Sequence, residues 1–126
     1  MSEGHRNDRY TRTVPGGRGL WQNDSLWRAA DGLPVREVAL SDIAELDQDC
    51  WFGERHLPTC RAVAEHARRI RDADPGYPVI LSADGRLMDG GHRVAKAYLE
   101  GRTSIAAVRF EVDPEPDRII PDGAAW

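Results

Sequence analysis

Apolar residues recur at helical steps most clearly between Cys60 and Asp72, where Cys60, Val63, Ala64, Ala67 and Ile70 form one stripe and predict a helix. Pro58 precedes it, Thr59 offers an N-cap, and Asp74-Pro75-Gly76 stops it. Off the stripe, Arg61 with Glu65 and Glu65 with Arg69 stand four apart, and Arg68, Arg69 and Arg71 occupy the last turns, where the dipole favours cations. The period then changes. Tyr77 to Ser82 is a short apolar run that reads as a strand, Ala83-Asp84-Gly85-Arg86 as a turn, and Leu87-Met88 as a return strand. A second helix is predicted over Gly91–Leu99, with Val94, Ala95, Tyr98 and Leu99 apolar and Gly101 as its stop. Ile105 to Val112 reads as the last strand.

The N-terminal third is less regular. Asp24 or Ser25 can cap a short helix carrying Leu26, Trp27 and Ala30, which Gly32 ends. Val35, Val38 and Leu40 suit a short edge strand with Pro34 at its start. Ser41 offers an N-cap for Asp42 to Leu46, where Ile43 and Leu46 share a face. Asp47 to Leu57 has no period and reads as a loop anchored by Trp51 and Phe52. Residues 1–19 hold Arg6, Arg9, Arg12 and Arg18, Gly4, Gly16, Gly17 and Gly19, and few apolar side chains, which predicts a flexible arm. The expected organisation is this arm, one domain over 20–117, and a tail over 118–126 that packs through Ile119 and Ile120 or stays loose. The expected fold class is α/β (α+β), a small mixed sheet flanked by two main helices.

Composition sets bounds on this picture. With 126 residues, 40% hydrophobic and 30% charged, the chain suits one soluble domain with one modest core. A net charge of −4 gives no global pull toward nucleic acid, although a local basic patch stays open. Cys50 and Cys60 form no CxxC pattern and read as buried, reduced structural thiols. His56 and His66 lie near them at a spacing that matches no familiar zinc pattern, so no metal-ligating residue is assigned. No apolar run approaches a membrane span or a signal-peptide core, and the expected address is cytoplasmic.

The candidate chemistry lies in Asp89-Gly90-Gly91-His92-Arg93. A strand ends, two glycines follow, and a helix begins. The first N–H groups of a helix lack internal partners and the dipole there favours an anion. His92 and Arg93 add side-chain donors, and a guanidinium can grip a phosphate with two parallel bonds. A second reading stands beside this one: the glycines only make a tight turn, and Arg93 pairs with Asp89 or another carboxylate. Asp89 has two readings, metal contact or base on one side and N-cap on the other. His66 and Arg69, one turn apart, read from spacing alone as helix-surface residues in local salt bridges. His92 can hold phosphate or act as a general acid/base. Trp51 and Phe52 are core anchors, or stack on a base or close a pocket, and Lys96 reads as a solvated surface lysine.

The stretch from Tyr77 to Ala97, with its Gly91-His92-Arg93 turn, resembles the core of the ParB N-terminal domain and sulfiredoxin superfamily, over roughly residues 33–113. The resemblance implies nucleotide binding, ATP or CTP with magnesium, by Gly90, Gly91, His92 and Arg93, with His66 and Arg69 on the facing wall and His92 and Asp89 as catalytic candidates. Two departures narrow it. Gly91 stands where sulfiredoxins carry their nucleophilic cysteine, and His92 stands where the Gly-Glu-Arg-Arg form of partition proteins has a second Arg; with no room for their downstream helix-turn-helix and dimerisation domains, centromere binding is not expected. The expected function is a phosphotransferase or NTP hydrolase acting on a small-molecule acceptor. The alternatives are a non-catalytic nucleotide- or phosphate-binding regulatory module and, against the acidic balance, a DNA-binding or nuclease protein. A homodimer is left open.

Overall fold

The run Val79–Leu81 is apolar at every position because both its faces are covered, as strands buried between two layers require. The computed structural model describes residues 9–53 and 56–124. In chain order the elements are β1 (Arg9–Val14), β2 (Gly17–Gln22), α1 (Asn23–Ala30), β3 (Arg36–Ala39), two 3-10 turns (Leu40–Asp42 and Ala44–Asp47), α2 (Cys60–Asp72), β4 (Val79–Leu81), β5 (Leu87–Asp89), α3 (Gly91–Leu99), β6 (Ser104–Arg109) and β7 (Arg118–Ile120). The architecture is mixed α+β with two sheets.

The central sheet has strand order β3-β6-β4-β5. β4 runs parallel to β6, and the β3–β6 and β4–β5 pairs are antiparallel. Side chains alternate through it. Val79, Leu81, Leu87, Ile105 and Ala107 face a core closed by Leu40, Ile43, Val94 and Ala97. Ile80, Met88 and Val108 face the opposite core, with Trp21, Leu26 and Phe110. That second core is closed by α1 and the other sheet, β1-β2-β7.

This second sheet corrects the expected arm. Residues 9–14 and 17–22 pair in a hairpin from Arg9↔Gln22 to Val14↔Gly17, and β7, from the expected tail, adds to it through Arg18↔Ile120. The local composition misleads because the ordering contacts come from afar. The Arg12 guanidinium lies over the Tyr10 and Trp21 rings, 5.9 and 5.0 Å from their centroids, and pairs with Asp113 at 2.6 Å. The domain therefore extends beyond 20–117 at both ends. Residues 1–8 of the expected arm lie outside the described residues.

Local signals elsewhere fare unevenly. α2 and α3 have the expected bounds, and Thr59 Oγ1 accepts from the Ala62 N–H at 3.1 Å. β3 is the expected edge strand. Neither Asp24 nor Ser25 caps α1, whose N-cap residue is Gln22 with no side-chain cap bond; Asp117 ties that end down instead, accepting from the Gln22 N–H and the Ser25 hydroxyl, both at 2.7 Å. Asp42 to Leu46 forms two 3-10 turns without side-chain caps, not one helix. β6 ends at Arg109 rather than Val112. On α2, Glu65 pairs with Arg68 at i,i+3. Cys50 and Cys60 are both exposed, contrary to expectation. Lys96 is not a free surface lysine: its Nζ donates to the carbonyls of Arg71 and Ala73 at the end of α2, where orphan carbonyls need donors.

Candidate functional site

The site grows out of the junction between β5 and α3. Gly90 takes a left-handed conformation, φ 116° and ψ 23°, and serves as the N-cap, so the chain turns from strand into helix within one residue. The N–H groups at 91–93 occupy the first turn, where no intrahelical acceptor exists.

The side chains then divide. Arg93 turns into the protein, only 5% exposed. Its Nη2 donates to Asp89 Oδ2 at 2.5 Å, and Nη1 donates to the Pro78 carbonyl at 2.8 Å. Asp89 Oδ2 also accepts from Trp27 Nε1 at 2.9 Å. Two of the expected assignments are therefore corrected. Arg93 clamps the β5–α3 turn to the segment before β4 instead of gripping phosphate, because its cation is neutralised at four-residue spacing by Asp89. Asp89, expected as a base, a metal contact or an N-cap, is buried, accepts from Arg93 and from the half-buried Trp27, and makes no cap bond to α3. The tight-turn reading of Arg93 is the one the structure bears out.

His92 leaves α3 toward α2 and meets His66. His66 Nδ1 and His92 Nε2 lie 2.8 Å apart, so one nitrogen carries the hydrogen and the other accepts it. His92 is 5% exposed and His66 is half-buried, with Arg69 half-buried one turn further along α2. Trp51 covers both imidazoles, its ring 4.8 Å from His66 at 14° and 4.7 Å from His92 at 9°. Phe52 packs edge-on against His66 at 5.3 Å. The same indole roofs the glycine turn, because its Nε1 would stand 3.3 Å from a Cβ at Gly91. Clefts of about 330 and 1010 Å³ lie away from this mouth, one between α2 and α3 and the other along β3 and β6.

The roof is held by one carboxylate. Asp49 accepts from the N–H groups of Trp51 at 3.0 Å, Phe52 at 2.8 Å and Gly53 at 2.7 Å, and the bonds from Phe52 and Gly53 hold its pKa below the ordinary value. A depressed carboxylate pKa stabilises above the unfolded-state value, and that contribution is lost as pH falls through the lowered one. Amide protection at 51–53 is therefore expected to persist down to the ordinary carboxylate range and to fall below it. Asp49→Ala should lose that protection at neutral pH. Protection in Asp49→Ala equal to that of the parent would show that the turn does not depend on Asp49.

Sequence reasoning named His66, Arg69, Gly90, Gly91 and His92, and the structure brings the two histidines together at the glycine turn. It missed Trp27 as a partner of Asp89. Of the two readings of Trp51, core anchor or a residue that stacks and closes a pocket, the structure shows the ring stacked over both imidazoles. Of the carboxylates the sequence offers a magnesium ion beside this turn, Asp89 and Asp49 are both engaged, Asp47 is exposed, Glu54 lies outside the described residues, and among the described residues no three His, Cys, Asp or Glu side chains form a metal-ligating group. The Cys50 thiol is pushed up by burial of its sulfur and by Glu45 and Asp49, which disfavours the nucleophilic thiolate. Among the described residues no helix is long and apolar enough to cross a membrane. Comparison with models of known families, with curated proteins and with solved structures finds no match.

Proposed function

We propose that this chain is a ParB-like domain that binds a nucleotide, ATP or CTP, through its phosphates at the mouth of α3. The observation that carries the reading is the convergence of the His66–His92 pair, the Gly90-Gly91 turn and the stacked Trp51 at one helix N-terminus. The order strand, hairpin return, glycine turn, helix, strand over β4 to β6 supports the ParB-like part. In this reading the Trp51 turn swings aside, the Gly91 amide and the imidazoles meet the phosphates, and the indole stacks on the base. Arg93 is a positioning residue that shapes the turn. Any magnesium would arrive on the nucleotide's phosphates, and no chemical step is routed through it.

The engagement of Asp89 by Arg93 and Trp27 favours a binding module over a phosphotransferase or hydrolase that would use Asp89 as its base; His92 is the catalytic candidate that is left. Thermal shift against ATP, CTP, GTP and inorganic phosphate, with and without magnesium, tests the binding. A ligand at a hundred times its dissociation constant stabilises by about 2.7 kcal/mol. His66→Ala should abolish that shift. A parent protein whose melting point no nucleotide or phosphate moves would sink the reading. Phosphate release or transfer to a small acceptor by the parent would overturn the non-catalytic assignment alone.

A further inference from the structure

α2 is strongly amphipathic, yet not one of its thirteen residues is buried. The positions turned toward the protein, Ala62, His66, Arg69 and Ile70, are half-buried. The stripe the sequence would assign to a core, Cys60, Val63, Ala64 and Ala67, is exposed, Val63 by 48%. Apolar surface continues onto α3 at Tyr98 and Leu99, 64% and 71% exposed. Between the helices, Ala67, Ile70 and Leu99 line a shallow groove. A helix with its apolar stripe turned outward signals a surface that something else covers.

The charges beside that stripe specify what. Arg61, Glu65, Arg68 and Asp72 follow one another at steps of four, three and four residues, which keeps them within an arc of roughly 60° at 100° per residue. Their signs alternate, plus, minus, plus, minus, so reversing the row inverts every sign. Two copies of α2 laid antiparallel place Arg61 opposite Asp72 and Glu65 opposite Arg68, twice each. A parallel pairing puts the two rows on opposite flanks of the seam, where they do not meet. Twofold contacts require this self-complementarity. Ala64 and Ala67 are small enough for two backbones to approach, and the charged side chains are exposed and able to re-pair, at 63% and 56% for Arg68 and Glu65.

We propose that α2 is the seam of a twofold-symmetric homodimer of this chain, with the α2 helices antiparallel and the 61/65/68/72 row fixing their orientation. Burial of the apolar stripe supplies the affinity, and the exposed ion pairs supply direction more than strength. The seam lies on the opposite side of α2 from His66, so the dimer does not depend on the nucleotide reading.

Sedimentation analysis of the full chain over a wide concentration range tests this. The expected mass at high concentration is twice 14.1 kDa. Glu65→Arg sets arginine against arginine at both 65/68 contacts of the seam, and Arg68→Glu sets glutamate against glutamate at the same two contacts. Each variant alone should associate at least tenfold more weakly than the parent. An equimolar mixture of the two restores an opposite-charge pair at each contact and should recover the dimer, which no folding defect could mimic. A parent that stays at 14.1 kDa at all concentrations overturns the proposal. So do single variants that dimerise like the parent, or a mixture that fails to do so.

Discussion

Arg93→Ala is expected to lower the unfolding free energy by about 3–5 kcal/mol, because it strands the Asp89 carboxylate in the core. The guanidinium it removes serves Asp89 at 2.5 Å and the Pro78 carbonyl at 2.8 Å, in a site where both charged side chains are under a tenth exposed. Against a total of about 5–15 kcal/mol for a domain, the loss should move the melting point down by on the order of 10 °C or more. An exposed phosphate-gripping arginine would behave differently, since its removal would change stability by about 0.5 kcal/mol or less. Replacing both partners with apolar residues, as in Asp89→Leu with Arg93→Met, should recover most of the loss. The Trp27 N–H, which then loses its acceptor, keeps the recovery incomplete. Urea denaturation of the parent, the single variant and the double variant reads this directly. An Arg93→Ala midpoint equal to that of the parent would return the guanidinium to solvent and restore its role as a ligand.

What the sequence revealed depended on the range of the forces involved. α2 and α3 were legible to the residue because Thr59, Gly90 and the Asp74-Pro75-Gly76 stop act within one turn. The His66–His92 meeting was legible only through the family resemblance, which puts His66 on the wall facing the glycine turn; spacing along α2 alone makes it a surface residue. The β1–β2 hairpin was not, because its anchors, Asp113 and β7, come about a hundred residues later. The Asp89–Arg93 spacing of four residues suggested a pair, but a one-dimensional pattern carries no information on burial. Burial is what turns that pair from a solvated option into a structural clamp. The same blindness explains α2. Periodicity found its apolar stripe correctly but could not say that the domain would pack the helix by its histidine face and leave the stripe outside.

Gly90→Ala and Gly91→Ala should separate sharply, although the two glycines are neighbours. At Gly90 the backbone is left-handed at φ 116°, which costs an L-residue about 1–2 kcal/mol. A Cβ there would lie 2.5 Å from Val79 Cγ1 and 2.9 Å from Val79 Cβ. Val79 is fully buried at the start of β4, so it cannot retreat without disturbing the central sheet, which adds about 1–3 kcal/mol. The sum, about 2–5 kcal/mol, should appear as a large fall in the denaturation midpoint. At Gly91 the conformation is helical, and the nearest atom to a new Cβ is the Trp51 indole Nε1, at 3.3 Å. Helix propensity gains up to about 1 kcal/mol, while the indole must give by a few tenths of an ångström, so stability should change by about 1 kcal/mol or less. The effect of Gly91→Ala belongs instead to the mouth: amide protection at 51–53 should drop, and any nucleotide-induced rise in melting point should shrink, because a methyl group now occupies the approach to the amide. Equal losses of stability in the two variants would mean that the turn is generally intolerant of side chains, and the distinction between a structural glycine and an access glycine would fail.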